Sequence, residues 1–168
     1  TTNAIFMGWS DGVTTLARTE SNLEANKHLI AYFTVERTLP EVNNFDGGVW
    51  AEGWLRISQG EPKREWEITR VLEVPEYKLD NFFALCDNRE INDATTDYFA
   101  YIYTPFYNVS TITNDIGIAF DYALADHFLS PEKFVLEYSF DGKTWTRLQN
   151  EIPTTQKREE KTYILAKT

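Results

Sequence analysis

Phe134-Val-Leu-Glu-Tyr-Ser-Phe-Asp-Gly-Lys-Thr-Trp-Thr-Arg-Leu148 alternates apolar and polar residues, turns at Asp141-Gly142 and resumes at Trp145. Period two puts Phe134, Leu136 and Tyr138 on one face and Val135, Glu137 and Ser139 on the other. That is the pattern of a strand with one face more buried. Asp-Gly between two such runs predicts a hairpin with a tight turn. Glycine reaches positive φ without steric cost, and Asp tolerates it better than most residues.

The rest of the chain repeats this grammar. Residues 4–9 read as a short strand closed by Ser10-Asp-Gly12, with 13–18 as a candidate hairpin partner. Residues 19–27 are polar, a loop or one or two helical turns. Residues 28–36 carry apolar side chains on both faces, which predicts a central strand. Residues 38–48 are the richest turn segment, a candidate linker or binding loop. Residues 49–57 read as a strand with Gly53 inside it, which predicts a bulge or a close backbone approach. On that register Trp50, Glu52, Trp54 and Arg56 share a face. Further strands are expected at 65–74, at 98–104 with aromatics on both faces, at 116–124 and at 162–166, with a short apolar run at 82–86.

About ten short strands with frequent turn signals and no convincing long helix predict an all-β, antiparallel β-sandwich of jelly-roll type. At 168 residues the chain is expected to form a single domain over 1–168. No internal repeat points to a solenoid or propeller.

Charge narrows the partners. The chain has 26 Asp and Glu against 16 Lys and Arg, a formal net charge of −10. Phosphate neutralisation needs a basic surface, so nucleic acid is not an expected partner. No apolar run approaches the length of a membrane span. The lone Cys86 provides no internal disulfide framework. The chain starts with Thr and has one methionine, Met7, so it is expected to be a piece of a longer, multidomain product.

Read together, several segments resemble one family. Tyr101-Ile-Tyr-Thr-Pro-Phe-Tyr-Asn-Val-Ser110, Ile118-Ala-Phe-Asp-Tyr122 and the 134–148 hairpin resemble, in order and spacing, segments of the choice-of-anchor J and cleaved-adhesin domains. Those are MAM-like jelly-roll sandwiches. The resemblance covers roughly 50–148, and the first forty residues have no counterpart. The discoidin (F5/8 type C) sandwich carries a similar hairpin and is the second resemblance. Ser139-Phe-Asp-Gly-Lys-Thr-Trp145 also looks like the Asp-box turn of sialidases. One residue is missing from that motif, a single copy is present, and the chain is too short for a propeller. The adhesin resemblance implies an extracellular or surface module of Bacteroidetes-like bacteria that binds glycans or host proteins, or spaces other domains. Several such modules hold structural calcium, and no catalytic residues come with the family.

The residues themselves suggest where a ligand would sit. Trp50 and Trp54, at i and i+4 on a strand, would stand roughly 13 Å apart and offer two stacking points to an extended sugar chain. Glu52 between them favours exposure, because burying an unpaired carboxylate is costly. Trp66 is a further candidate, and Asn44 and Asp46 lie in the adjacent loop. Calcium needs several converging oxygens, for which Asp121 and Asp126 flank one connection. The histidines and Cys86 lack zinc-site spacing, and no Gly-x-Ser-x-Gly elbow is present.

The expectation is a noncatalytic extracellular module that binds carbohydrate, a polysaccharide or a host surface glycoprotein, with Trp54→Ala abolishing the binding. An adhesion or spacer module acting through protein contacts is the alternative. A concanavalin-like glycoside hydrolase is a further one. It would use Glu52 with Glu65 or Glu67 as its facing carboxylates.

Overall fold

The computed structural model describes residues 4–21, 27–59, 65–70, 82–86, 99–124, 134–152 and 157–166. Among these the β-branched and aromatic runs form eleven strands and no helix. They are β1 Ala4–Trp9, β2 Ala31–Thr38, β3 Leu55–Gln59, β4 Glu67–Thr69, β5 Phe83–Leu85, β6 Phe99–Tyr103, β7 Phe106–Asn108, β8 Ile116–Tyr122, β9 Phe134–Tyr138, β10 Thr146–Ile152 and β11 Glu159–Leu165.

The strands hydrogen-bond into small sheets: β1-β2-β7, β9-β10, β8-β11, β3-β6 and β4-β5. All pairings are antiparallel except β2–β7, which runs parallel with Glu36 beside Phe106. The expectation of a purely antiparallel arrangement is corrected at that pair. The central position expected for the 28–36 strand is met, since β2 lies between β1 and β7.

The alternation along β8 shows how sequence becomes core. Ile116, Ile118 and Phe120 are half-buried and Tyr122 is 6% exposed, while Gly117, Ala119 and Asp121 face out. In β11, Tyr163 stands opposite Ile118 and Lys161 opposite Phe120. The Phe120 ring lies 6.2 Å from Tyr163 and meets Phe134 of β9 edge-on at 6.1 Å. Tyr122 also touches Phe134, at 6.4 Å. Such aromatic pairs add about 0.5–1.5 kcal/mol each beyond the area they bury. Phe134, of the face expected to be inward in the hairpin, is therefore the residue that meets β8.

The hairpin itself forms, with Thr146 opposite Tyr138 and Arg147 opposite Glu137. Its connection is residues 139–145 and not a two-residue turn. Asp141 organises it. Its Oδ1 accepts from the amides of Lys143 at 2.8 Å and Thr144 at 2.7 Å and from Ser139 Oγ at 2.9 Å. Its Oδ2 accepts from Thr144 Oγ1 at 3.0 Å. These donors, the Thr144 amide foremost, hold the Asp141 carboxyl well below the usual carboxylate range. The Ser-x-Asp-Gly-x-Thr-Trp spelling is thus a loop built around one carboxylate, whose oxygens are already taken.

The partner expected for β1 is also corrected. Residues 13–18 form no strand, and β1 pairs with β2. Side chains hold that segment instead. Trp9 Nε1 donates to the Thr15 carbonyl at 3.0 Å, and Arg18 forks onto Asp11 at 2.9 Å from each terminal nitrogen. Arg18 also pairs with Glu20 and lies over the Trp9 ring at 5.4 Å. No helix of the described residues is long and apolar enough to cross a membrane.

Candidate functional site

Two aromatic groups compete for the role of ligand platform. The first is the expected one. Residues 49–54 are not strand, and β3 begins only at Leu55. The chain turns there, with the Trp54 amide on the Ala51 carbonyl at 3.2 Å and Gly53 at φ +86°. A Cβ on Gly53 would stand 2.4 Å from Val35 Cγ2. The Gly53 carbonyl in turn accepts from Thr34 Oγ1 at 2.7 Å. This is the close backbone approach that the glycine announced, and it breaks the strand register.

The turn brings Trp50 and Trp54 to 6.1 Å instead of the wide separation expected on a strand. Phe45, held at φ +58° in the preceding loop, meets both rings edge-on at 5.4 and 5.7 Å. The Arg56 guanidinium covers Trp50 at 5.4 Å. Both tryptophans are half-buried, and Trp54 Nε1 and Asn43 Nδ2 are buried with no acceptor among the described residues. Two separate stacking points have become one internally packed knot.

The other expected residues join its surroundings. Glu52 is exposed, and its carbonyl accepts from Arg37 at 2.9 Å. Asn44 and Asp46 pair with each other, Nδ2 to Oδ2 at 2.6 Å. Trp66 serves the scaffold, donating from Nε1 to the Ala100 carbonyl at 3.0 Å and accepting from Arg56 on its own carbonyl at 3.2 Å. Asp121 lies on β8 in an ion pair with Arg158, and Asp126 lies outside the described residues. Among the described residues no three His, Cys, Asp or Glu side chains gather as a metal group would require. Glu65 and Glu67 are exposed, and β4 pairs with β5 while β3 pairs with β6.

The second group was not singled out from sequence. Phe99, Tyr101 and Tyr103 alternate along β6 and so project from one face. Their rings run nearly parallel, Phe99 to Tyr101 at 6.2 Å and 19°, Tyr101 to Tyr103 at 6.0 Å and 28°. Trp145, from the end of the hairpin loop, closes the row edge-on against Tyr103 at 5.4 Å. Phe99 is 52% and Trp145 40% exposed. On the partner strand, Gln59, Ile57 and Leu55 stand opposite the three ring positions.

Glu137 of β9 flanks the row. Burial and then its negative charge raise the Tyr101 phenol above the ordinary value, and burial, then the neighbouring Tyr101, then Glu137 raise that of Tyr103. Glu137 in turn accepts from Arg147 Nε at 2.9 Å. Among the described residues, guanidinium groups lie over Trp9, Trp50 and Phe82 but over none of the row's rings. The signal for this row was legible as period-two aromatics in 98–104. What sequence could not supply was Trp145, which is distant in the chain and reaches the row only through the fold.

Comparison of the chain with family models, with curated proteins and with solved structures finds no match, so the functional argument rests on these residues.

Proposed function

We propose that this chain is a noncatalytic carbohydrate-binding module of an exported or surface protein, its small sheets closing into a jelly-roll β-sandwich. The observation that carries the reading is the row Phe99–Tyr101–Tyr103–Trp145, exposed at both ends and free of covering cations among the described residues. Aromatic rings pack against the apolar C–H faces of sugars at little entropic cost, because the rings are already held by their neighbours. Asn, Gln and carboxylate groups at the margin then supply the hydrogen bonds that orient a sugar. Gln59 and Glu137 stand in that position. The resemblance of residues 101–110, 118–122 and 134–148 to adhesin-type modules supports the same reading and the extracellular setting. A structural calcium at Asp121 would have to displace Arg158 from its carboxylate.

Affinity electrophoresis on a panel of soluble polysaccharides tests the proposal. Wild type is retarded by at least one of them, and Tyr101→Ala and Trp145→Ala each reduce the retardation while circular dichroism stays that of a folded β-protein. Unretarded migration across the panel overturns it.

A second reading, adhesion through protein contacts, is favoured by one observation. Phe33 of β2 is 46% exposed, and Leu16 and Ile30, in the segments next to β1 and β2 in the chain, are 63% and 46% exposed. It expects no glycan retardation.

A further inference from the structure

We infer that the β6 row selects an uncharged, linear glycan lying along the strand and excludes uronic or sulfated chains, an inference that rests on the glycan-binding reading above. The shape follows from the geometry. Three rings follow each other at 6.2 and 6.0 Å along a single strand, so successive contacts are collinear with β6. A branched or compact ligand would use one or two of them, whereas an extended chain meets all three. Trp145 stands edge-on at the Tyr103 end and turns the row's direction there, which gives the track a terminus on the hairpin side.

The charge selectivity follows from what flanks the row. An anionic sugar needs a cation with unused donors, as sulfate and carboxylate recognition generally does. The hairpin register places Arg147 opposite Glu137, and its Nε donates to that carboxylate at 2.9 Å. The other ring-facing guanidiniums, Arg18, Arg56 and Arg70, serve Trp9, Trp50 and Phe82. The chain as a whole carries a formal net charge of −10, which adds long-range repulsion of a polyanion at low ionic strength. Glu137 therefore does two things at the row. It contributes a negative charge near Tyr101 and Tyr103, and it draws Arg147 into an ion pair through Nε.

The test uses the full chain in affinity gels containing either hydroxyethyl cellulose and glucomannan or polygalacturonate and heparin, at low and high salt. The expected result is retardation by a neutral polymer, insensitive to salt, and none by the anionic ones. Glu137→Gln then releases Arg147 from its ion pair and makes retardation by polygalacturonate, absent in wild type, detectable at low salt. Wild-type retardation by polygalacturonate or heparin equal to that by the neutral polymers overturns the selectivity and leaves the glycan reading standing. No retardation by either class overturns both. A Glu137→Gln protein that gains nothing on polygalacturonate overturns the role given to the Glu137–Arg147 pair.

Discussion

The Trp50 and Trp54 rings stand 6.1 Å apart at a tilt of 39°, and the Phe45 ring meets each of them edge-on. A pair four residues apart on a continuous strand could not meet in this way. The turn at Gly53 makes the contact, and the contact makes these rings partners of one another before they can be partners of a ligand.

Trp54→Ala is accordingly expected to act on stability. Removing a half-buried indole from a three-ring cluster costs roughly 2–3 kcal/mol, below the 3–5 kcal/mol of a fully buried site. Urea denaturation measures the loss. Any glycan retardation should persist in the fraction that remains folded, in contrast to Tyr101→Ala.

Gly53→Ala is expected to be at least as damaging. The new Cβ would meet Val35 Cγ2 at 2.4 Å and Pro105 Cγ at 3.2 Å, in a backbone at φ +86°. Positive φ and overpacking each cost about 1–3 kcal/mol. A substitution tolerated without a shift in the denaturation midpoint would show that the turn relaxes freely.

Asp141→Ala removes the acceptor of two amides and two hydroxyls in the hairpin loop, and the thermal midpoint should fall by a few degrees. The pH dependence has a definite sign. The Asp141, Asp11 and Glu20 carboxyls are held below their ordinary values, Asp141 by the loop amides, Asp11 by Arg18 and Glu20 by Lys27. Their contribution is present above the unfolded carboxylate range and is lost as pH falls through the lower folded values. Midpoints recorded from neutral to strongly acid pH should therefore drop late. Asp141→Asn, which cannot titrate, should flatten part of that drop.

Glu137→Gln should lower the Tyr101 and Tyr103 phenols back toward the ordinary value. It should leave Tyr122, whose phenol is raised by burial and then by Glu159, where it is. Tyrosine ring signals followed by NMR through an alkaline titration report each residue separately. The stability these raised phenols carry is present below the unfolded tyrosine range and disappears as pH rises through the folded values. Equal movement of all three tyrosines would place Glu137 elsewhere than beside β6.

Much of the strand inventory was legible locally. The runs at 4–9, 116–122 and 134–138 are strands because alternation and β-branched or aromatic side chains favour an extended backbone with one face turned inward, while the last strand, expected at 162–166, begins earlier, at the charged Glu159. The glycine signals were legible too. Gly53 marked a close approach and Gly142 a loop at φ +69°, where a Cβ would come within 2.6 Å of the Phe106 ring. The short β7 carried too little pattern to be read, and its parallel pairing with β2 is a long-range event.

Sequence by itself determined an all-β chain, the faces of its longer strands and the hairpin that links β9 to β10, because these depend on backbone sterics and on residues near one another in the chain. Tertiary structure alone decided which aromatics met. Gly53 folded Trp50 and Trp54 inward onto Phe45, and the hairpin carried Trp145 to the Tyr103 end of the row, 42 residues away in the chain. Ring contacts extend only a few ångströms, so their partners are set by where the backbone turns and by which sheets come together, neither of which a local pattern encodes.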